Sequence, residues 1–272
     1  MSLLSSKMFL QLLLLISCSL TSLWGFSFPA AAYCNLPYCQ MNNLVCQNPG
    51  TLSPTCDRNA RVVPMASYQN DLVFMINDFR NKVAAGLPNF LPAGRMARIS
   101  WSNELAQFAK FDVLRCTELP RPCMTSPNFP NIGSISMHHS YPGDRRDELT
   151  VMQDIIGSWI LDSRYVTRKQ AYFLNERADG RSVFRPALLM NEHNTHMGCA
   201  AIKYKADRFN NFLLSCTFST VNLMKKPIYK PARQPGANCK NRDADYSNLC
   251  AVGEFYSENR QYADSRLLME LN

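Results

Sequence analysis

The chain has 272 residues, 29 Lys and Arg against 21 Asp and Glu for a net charge of +8, and 46% apolar residues. That length carries one sizeable core or two modest ones. The cations are scattered, and the densest group, Lys225-Lys226 to Arg233, is interrupted by two prolines; this is a solvated basic surface and argues against a nucleic-acid site.

The elements in chain order begin with a leader. Met1 to Lys7 carries one positive charge, Met8 to Trp24 is an apolar run, and Ala30-Ala31-Ala32 supplies small residues. This is the order of a secretory signal peptide spanning 1–32, with cleavage after Ala32 or nearer Gly25. The run is short and broken by Ser, Thr and Gln, unlike a membrane span, and no later stretch is apolar enough to cross a bilayer. Cys18 leaves with the leader, so Cys34, Cys39, Cys46, Cys56, Cys116, Cys123, Cys199, Cys216, Cys239 and Cys250 remain. An even count in an exported chain reads as a disulfide framework and argues for a monomer. Zinc is the rival use, but Cys34-x4-Cys39 lacks a matching second pair.

Residues 33–65, rich in Cys, Asn and Pro, read as a loop-dominated arm. From Asp71 to Ala85 apolar residues at Leu72, Met75, Ile76, Phe79 and Val83 predict a helix that stops at Gly86. A second helix is predicted from Ser102 to Cys116, capped by Ser102 or Asn103, and a third from Glu148 to Tyr165. Two strands are predicted near Met197–Tyr204 and Phe212–Phe218, each with one cysteine. Helices first and a hairpin late give an α+β sandwich. The tail from Tyr256 to Asn272 is charged, with a small apolar stripe at Leu267, Leu268 and Leu271. There is no internal repeat and no Asn-x-Ser/Thr acceptor.

Five motifs follow in order. Asn77-Asp78-Phe79-Arg80-Asn81-Lys82-Val83-Ala84-Ala85-Gly86 comes first. Ala93-Gly94-Arg95-Met96 leads into Trp101-Ser102-Asn103-Glu104-Leu105-Ala106. Asn194-Thr195-His196-Met197-Gly198-Cys199-Ala200, then Cys216-Thr217-Phe218-Ser219-Thr220-Val221-Asn222, and last Tyr246-Ser247-Asn248-Leu249-Cys250 complete the set. In this order they resemble the CAP superfamily of cysteine-rich secretory, antigen 5 and pathogenesis-related proteins, within it the insect antigen 5-related, venom allergen-like branch. The resemblance implies a three-layer α-β-α sandwich over residues 66–228, stapled by disulfides, with a C-terminal extension at 229–272. It also implies the pairs Cys34–Cys46, Cys39–Cys123, Cys56–Cys116 and Cys199–Cys216, which leaves Cys239 for Cys250.

Many members of that superfamily hold two His and two acidic residues in a central cleft, where a divalent metal can bind. Aligned by the motifs, those positions fall on Pro120, Ser134, Asp162 and Arg185, so only Asp162 survives in kind. Proline has no side-chain donor atom and arginine stays protonated, so neither replaces an imidazole as ligand or base. Metal chemistry is therefore expected to be lost, with no catalytic residue and no cofactor, and Arg185 is expected to pair with Asp162. Glu192-His193-x-x-His196 has ligand-like spacing, and His138-His139 is the remaining pair; the simpler reading places His193 and His196 in a polar turn entering the strand of Cys199. Ser134, Ser136 and Asp154 form no nucleophile setting, and Glu104 reads as a solvated residue or a cap partner.

The resemblance thus implies a secreted, extracellular, non-enzymatic protein that binds a protein partner. Members of the branch occur in venom, saliva, gut, haemolymph and male reproductive secretions, so a reproductive or other glandular fluid is the implied setting. The alternatives are a carrier of sterol or fatty acid, needing an apolar groove, and a metal-dependent hydrolase.

Overall fold

In the first long helix, α1 (Gln69–Ala84), Leu72, Ile76, Phe79 and Val83 are buried, with Asp71 in the first turn and Lys82 in the last, signs that suit the helix dipole. The chain leaves it through Gly86 at φ +93°, a conformation that favours glycine. These features come from a computed structural model, which describes residues 30–46, 48–87, 90–175 and 182–260. Most of the leader and the Leu267–Leu271 stripe lie outside the described residues. Residues 32–272 cluster as one unit.

Helix α2 (Asn103–Val113) starts where Ser102 Oγ accepts from the Leu105 amide at 3.3 Å. Helix α3 (Glu148–Leu161) starts at Asp147, whose carboxylate accepts from the Thr150 amide at 3.0 Å. The expected run to Tyr165 ends earlier, because Asp162–Tyr165 tightens into a 3-10 turn. Two short helices were not expected: α4 (Arg168–Tyr172) and α5 (Phe184–Met190). Pro186 sits in the first turn of α5, where its missing N–H costs nothing.

Among the described residues the sheet has five strands: β1 (Arg61–Val62), β2 (Ser100–Trp101), β3 (Gly133–Pro142), β4 (His196–Ala206) and β5 (Phe209–Phe218). The order is β1-β4-β5-β3, and β2 runs parallel to the start of β4. The hairpin strands are longer than predicted. Strand β3 was not predicted at all; its Ser and His residues read as a polar loop, yet it pairs antiparallel with β5 over ten positions.

Alternation along the strands separates two layers. Ile135, Cys199, Ala201, Phe212, Leu214 and Cys216 join the main core with residues of α1, α3 and α5. On the opposite face Ala200, Ile202 and Leu213 pack on Ala109 and Val113 of α2. That is the three-layer α-β-α sandwich. Gly198 lies on the α2 face, where a Cβ would stand 2.1 Å from the Ala106 nitrogen.

Disulfides join Cys34–Cys46, Cys39–Cys123, Cys56–Cys116, Cys199–Cys216 and Cys239–Cys250. Cys199 and Cys216 are directly opposed across β4 and β5 with Cα atoms 4.1 Å apart. The extension is built into the sandwich: Tyr229 and Leu249 are part of the main core. Arg95 pairs with Glu254 at 2.8 Å, and Arg98 with Asp243 at 3.0 Å. No helix among the described residues is long and apolar enough to cross a membrane.

Candidate functional site

The loop from Cys116 to Cys123 is held at both ends by disulfides, to Cys56 and to Cys39. It faces the first residues of β3 and of α5 across a cavity of about 130 Å³, whose lining includes Tyr38, Arg121, Ser134, Phe184 and Asn222. Ser134 is 7% exposed. Pro120 immediately precedes Arg121, and its carbonyl accepts from Arg115 at 2.7 Å. Arg185 follows Phe184 at the start of α5. Of the four aligned positions only Ser134 is among the cavity-lining residues; Pro120, Arg185 and Asp162, which follows α3, are not.

The expected ion pair between Arg185 and Asp162 is corrected by this arrangement. Among the described residues the carboxylate that Arg185 approaches is Glu118, at 3.9 Å. The doubly bridged loop carries Glu118 toward the start of α5, whereas Asp162 opens the 3-10 turn after α3. Sequence reasoning also missed Arg121. Its guanidinium carbon lies 3.4 Å from the centroid of the Phe184 ring. Burial and, secondarily, the charge of Arg185 push its pKa down to about 10. The signal was local: Pro120-Arg121-Pro122-Cys123 fixes a cation between two prolines beside a bridge.

A cavity lined by the Arg121 guanidinium, with no histidine or carboxylate among its lining residues, does not suit a divalent cation, because the charge repels it and the neutral hydroxyl and amide oxygens of Ser134 and Asn222 are weak substitutes for charged ligands. The cleft residues therefore do not fit the metal that the resemblance associates with these positions. Among the described residues no three His, Cys, Asp or Glu side chains gather as a ligand set.

The histidines are dispersed. His138 and His139 sit on β3, not on a loop, and point to alternate faces. His138 Nε2 lies 3.1 Å from the Tyr204 hydroxyl, while the His139 ring leans on Tyr141. His193 lies in the turn before β4, 3.4 Å from Glu192 and against the Tyr256 ring. His196 opens β4, with Nδ1 2.9 Å from Thr195 Oγ1 and its ring against Phe129.

Burial holds the His196 imidazole below its usual 6.5. A base depressed on folding leaves the unfolded chain holding more protons, so its contribution is intact above the unfolded value and is lost as pH falls through the folded one. An NMR titration of the His196 ring should give a midpoint below 6.5, and His196→Asn should flatten the fall in stability on acidification. A midpoint at or above the ordinary value would contradict the burial argument.

Glu104 is neither solvated nor a cap partner. It accepts from the Tyr33 hydroxyl at 3.2 Å and from Asn128 at 2.8 Å, tying the arm to the loop before β3. Asp112 is buried on α2; burial raises its carboxyl, opposed by Ser215 Oγ at 2.7 Å and Arg115 at 2.8 Å.

Arg80 is 0% exposed. It donates to the carbonyls of Ala97, Leu189, Asn191 and Asn194 at 2.7–3.3 Å. Glu192, itself 2% exposed, supplies a charge that favours the cationic form, but burial dominates and lowers the guanidinium to about 10.

Residues 73–218 match the model of the cysteine-rich secretory protein family, CAP. Tablysin 15 of Tabanus yao is 28% identical over 235 residues, covering 85% of this chain and 91% of the relative. Venom allergen-1 of Aedes aegypti is 23% identical over 227 residues, covering 82% and 89%. The crystal structure of NaASP2 with Zn2+ shares the fold at a TM-score of 0.53 and 17% identity, covering 72% of this chain and 99% of that one. With its antiparallel sheet between helical layers and a family match over more than half its length, the chain belongs to the cysteine-rich secretory protein (CAP) family.

Proposed function

We propose that this chain is a secreted CAP-domain protein that acts outside the cell by binding another protein and catalyses no reaction. The observation that carries this reading is the cavity beside β3, whose lining among the described residues includes Arg121, Ser134 and Phe184 but no histidine or carboxylate, at the place where the resemblance aligns Ser134 with a position it gives to a carboxylate or amide. Such a set can neither activate water through a metal nor supply a general base at neutral pH. The sequence order of the leader and the five bridges support export to an oxidising compartment.

The test is affinity capture of the tagged, full-length protein from the animal's own secretions, with proteins and lipids analysed together. A partner that co-purifies reproducibly and rebinds the purified protein saturably is the expected result, in a preparation without stoichiometric zinc when chelators are omitted. A stoichiometric sterol or fatty acid with no protein partner would put the carrier reading in its place, and one zinc per chain would revive the hydrolase. One observation favours the carrier as the second reading: a groove of about 440 Å³ includes Ile202 and Leu213 in its lining, with Leu119 beside them 68% exposed.

A further inference from the structure

The densest run of cations in the sequence, Lys225-Lys226 to Arg233, has no part in the cleft, and the fold lays it against α4. The Leu174 amide, just after that helix, donates to the Lys226 carbonyl at 3.0 Å, the Lys225 amide donates to the Leu174 carbonyl at 2.8 Å, and the Ile228 amide to the Ala171 carbonyl at 2.8 Å. Beyond Ile228 the run meets the chain that follows α1. The Tyr229 hydroxyl donates to the Leu91 carbonyl at 3.1 Å, and the Leu91 amide to the Tyr172 hydroxyl at 3.0 Å. Leu174, Ile228 and Tyr229 are buried and anchor the arrangement.

These segments bring together Arg168, Lys169, Lys225, Lys226, Lys230 and Arg233, all exposed. Residues 90–92, 167–175 and 223–234, which build the face, contain none of the chain's 21 acids. Residues 176–181 add two acids and two arginines in sequence, and so no net charge. Glu192 accepts from the Lys230 amide at 3.1 Å but is 2% exposed. Arg168, Lys169, Lys226 and Arg233 are in no ion pair among the described residues. Like charges gathered without acids repel one another, so fold stability alone gives no reason for the collection.

A second observation narrows the partner. Phe173, at the end of α4, is 46% exposed, and Leu91, whose amide is bonded to the neighbouring Tyr172, is 41% exposed. An acidic glycan would meet the cations and leave both apolar side chains in water. An anionic bilayer meets both features: its headgroups attract the charged ends, while apolar side chains and the methylene stems of Lys and Arg settle at the boundary of the acyl chains.

We propose that this face docks on the surface of an anionic bilayer: Arg168, Lys169, Lys226 and Arg233 lie among the headgroups, and Phe173 and Leu91 enter the interface beneath them. The protein then rests on the membrane without crossing it. The inference is independent of the protein-binding reading, and its failure would leave that reading untouched.

The test is sedimentation of the purified protein with vesicles of phosphatidylserine in phosphatidylcholine, beside vesicles of phosphatidylcholine alone. The expected result is saturable binding to the anionic vesicles, little to the neutral ones, and a loss of binding as salt is raised. The double variant Arg168→Gln, Lys169→Gln should bind the anionic vesicles about tenfold or more weakly, because each cation at a charged surface contributes about fivefold. Phe173→Ala should also weaken binding, by about threefold or more, through loss of the inserted ring. Both changes are at exposed positions, so the circular dichroism spectrum should not alter. Arg58→Gln with Arg208→Gln removes the same charge elsewhere on the surface and should bind like wild type; a loss equal to that of the α4 pair would reduce the effect to net charge and overturn the assignment to this face. Equal binding to both kinds of vesicle, or to neither, would overturn the proposal, as would a protein that ignores vesicles but binds heparin through Arg168 and Lys169, which would assign the face to an acidic glycan.

Discussion

Arg80→Met should destabilise the protein by about 3 to 5 kcal/mol, the range for removing one member of a buried charged network. The side chain joins parts of the chain that are far apart in sequence. Its two terminal nitrogens and Nε reach Ala97 before β2, Leu189 and Asn191 at the end of α5, and Asn194 in the turn before β4. The carbonyls at the end of α5 have no partners within the helix, and a cation there also faces the negative end of its dipole. Methionine matches the length but offers no donor, so the carbonyls lose those bonds in a buried setting and Glu192 loses a nearby positive charge. Arg80→Lys keeps the charge but cannot fork across four carbonyls, so its loss should be intermediate. Denaturant unfolding of both variants decides the point; a Met variant within about 1 kcal/mol of wild type, a typical single hydrogen bond, would show that the carbonyls find other donors.

Gly198→Ala should be at least as damaging, for a steric reason. The new Cβ would lie 2.1 Å from the Ala106 nitrogen and 2.6 Å from its Cα, so the obstacle is helix backbone and no rotamer change removes it. Helix α2 would have to move off the sheet. That breaks the bond from the Thr217 hydroxyl to the Leu105 carbonyl at 2.8 Å and the one from Ser215 to Asp112 at 2.7 Å. Overpacking ordinarily costs about 1 to 3 kcal/mol, and a clash with rigid backbone belongs above that range. The expected outcome is a collapse in the yield of folded protein and a low melting temperature for whatever is recovered. Gly157→Ala is the control: the nearest atom is the tip of Met75 at 3.8 Å, and alanine in a helix interior gains about 1 kcal/mol over glycine. Near-normal yield and melting temperature for Gly198→Ala would contradict the packing described.

The parts of the fold that the sequence made legible are those whose pattern is local. Leu72, Ile76, Phe79 and Val83 declare α1 by spacing alone, and Ser102 declares the start of α2 by its hydroxyl. Strand β3 was missed because alternate positions along it carry the polar residues Ser134, Ser136, His138 and Ser140. Its identity as a strand comes from ten pairings with β5, which no window of neighbours contains. Helices α4 and α5 are too short to announce themselves and owe their form to packing and caps. The same distinction governs the cleft. Resemblance pointed to Pro120, Ser134, Asp162 and Arg185, but the meeting of Arg121 with Phe184 and of Glu118 with Arg185 depends on a loop positioned by distant bridges.

The connectivity of those bridges sets a problem of timing. A chain made from its N-terminus presents Cys34, Cys39, Cys46 and Cys56 before either Cys116 or Cys123 exists, and only Cys34–Cys46 is a native pair among the four. Cys39 must wait for a partner 84 residues on, and Cys56 for one 60 residues on. Premature oxidation would join the two waiting thiols, or strand one of them on the wrong neighbour, and only thiol exchange undoes that. The segment synthesised first is thus fastened only after α2 has been made, and production of this protein depends on a compartment that can both form bridges and rearrange them.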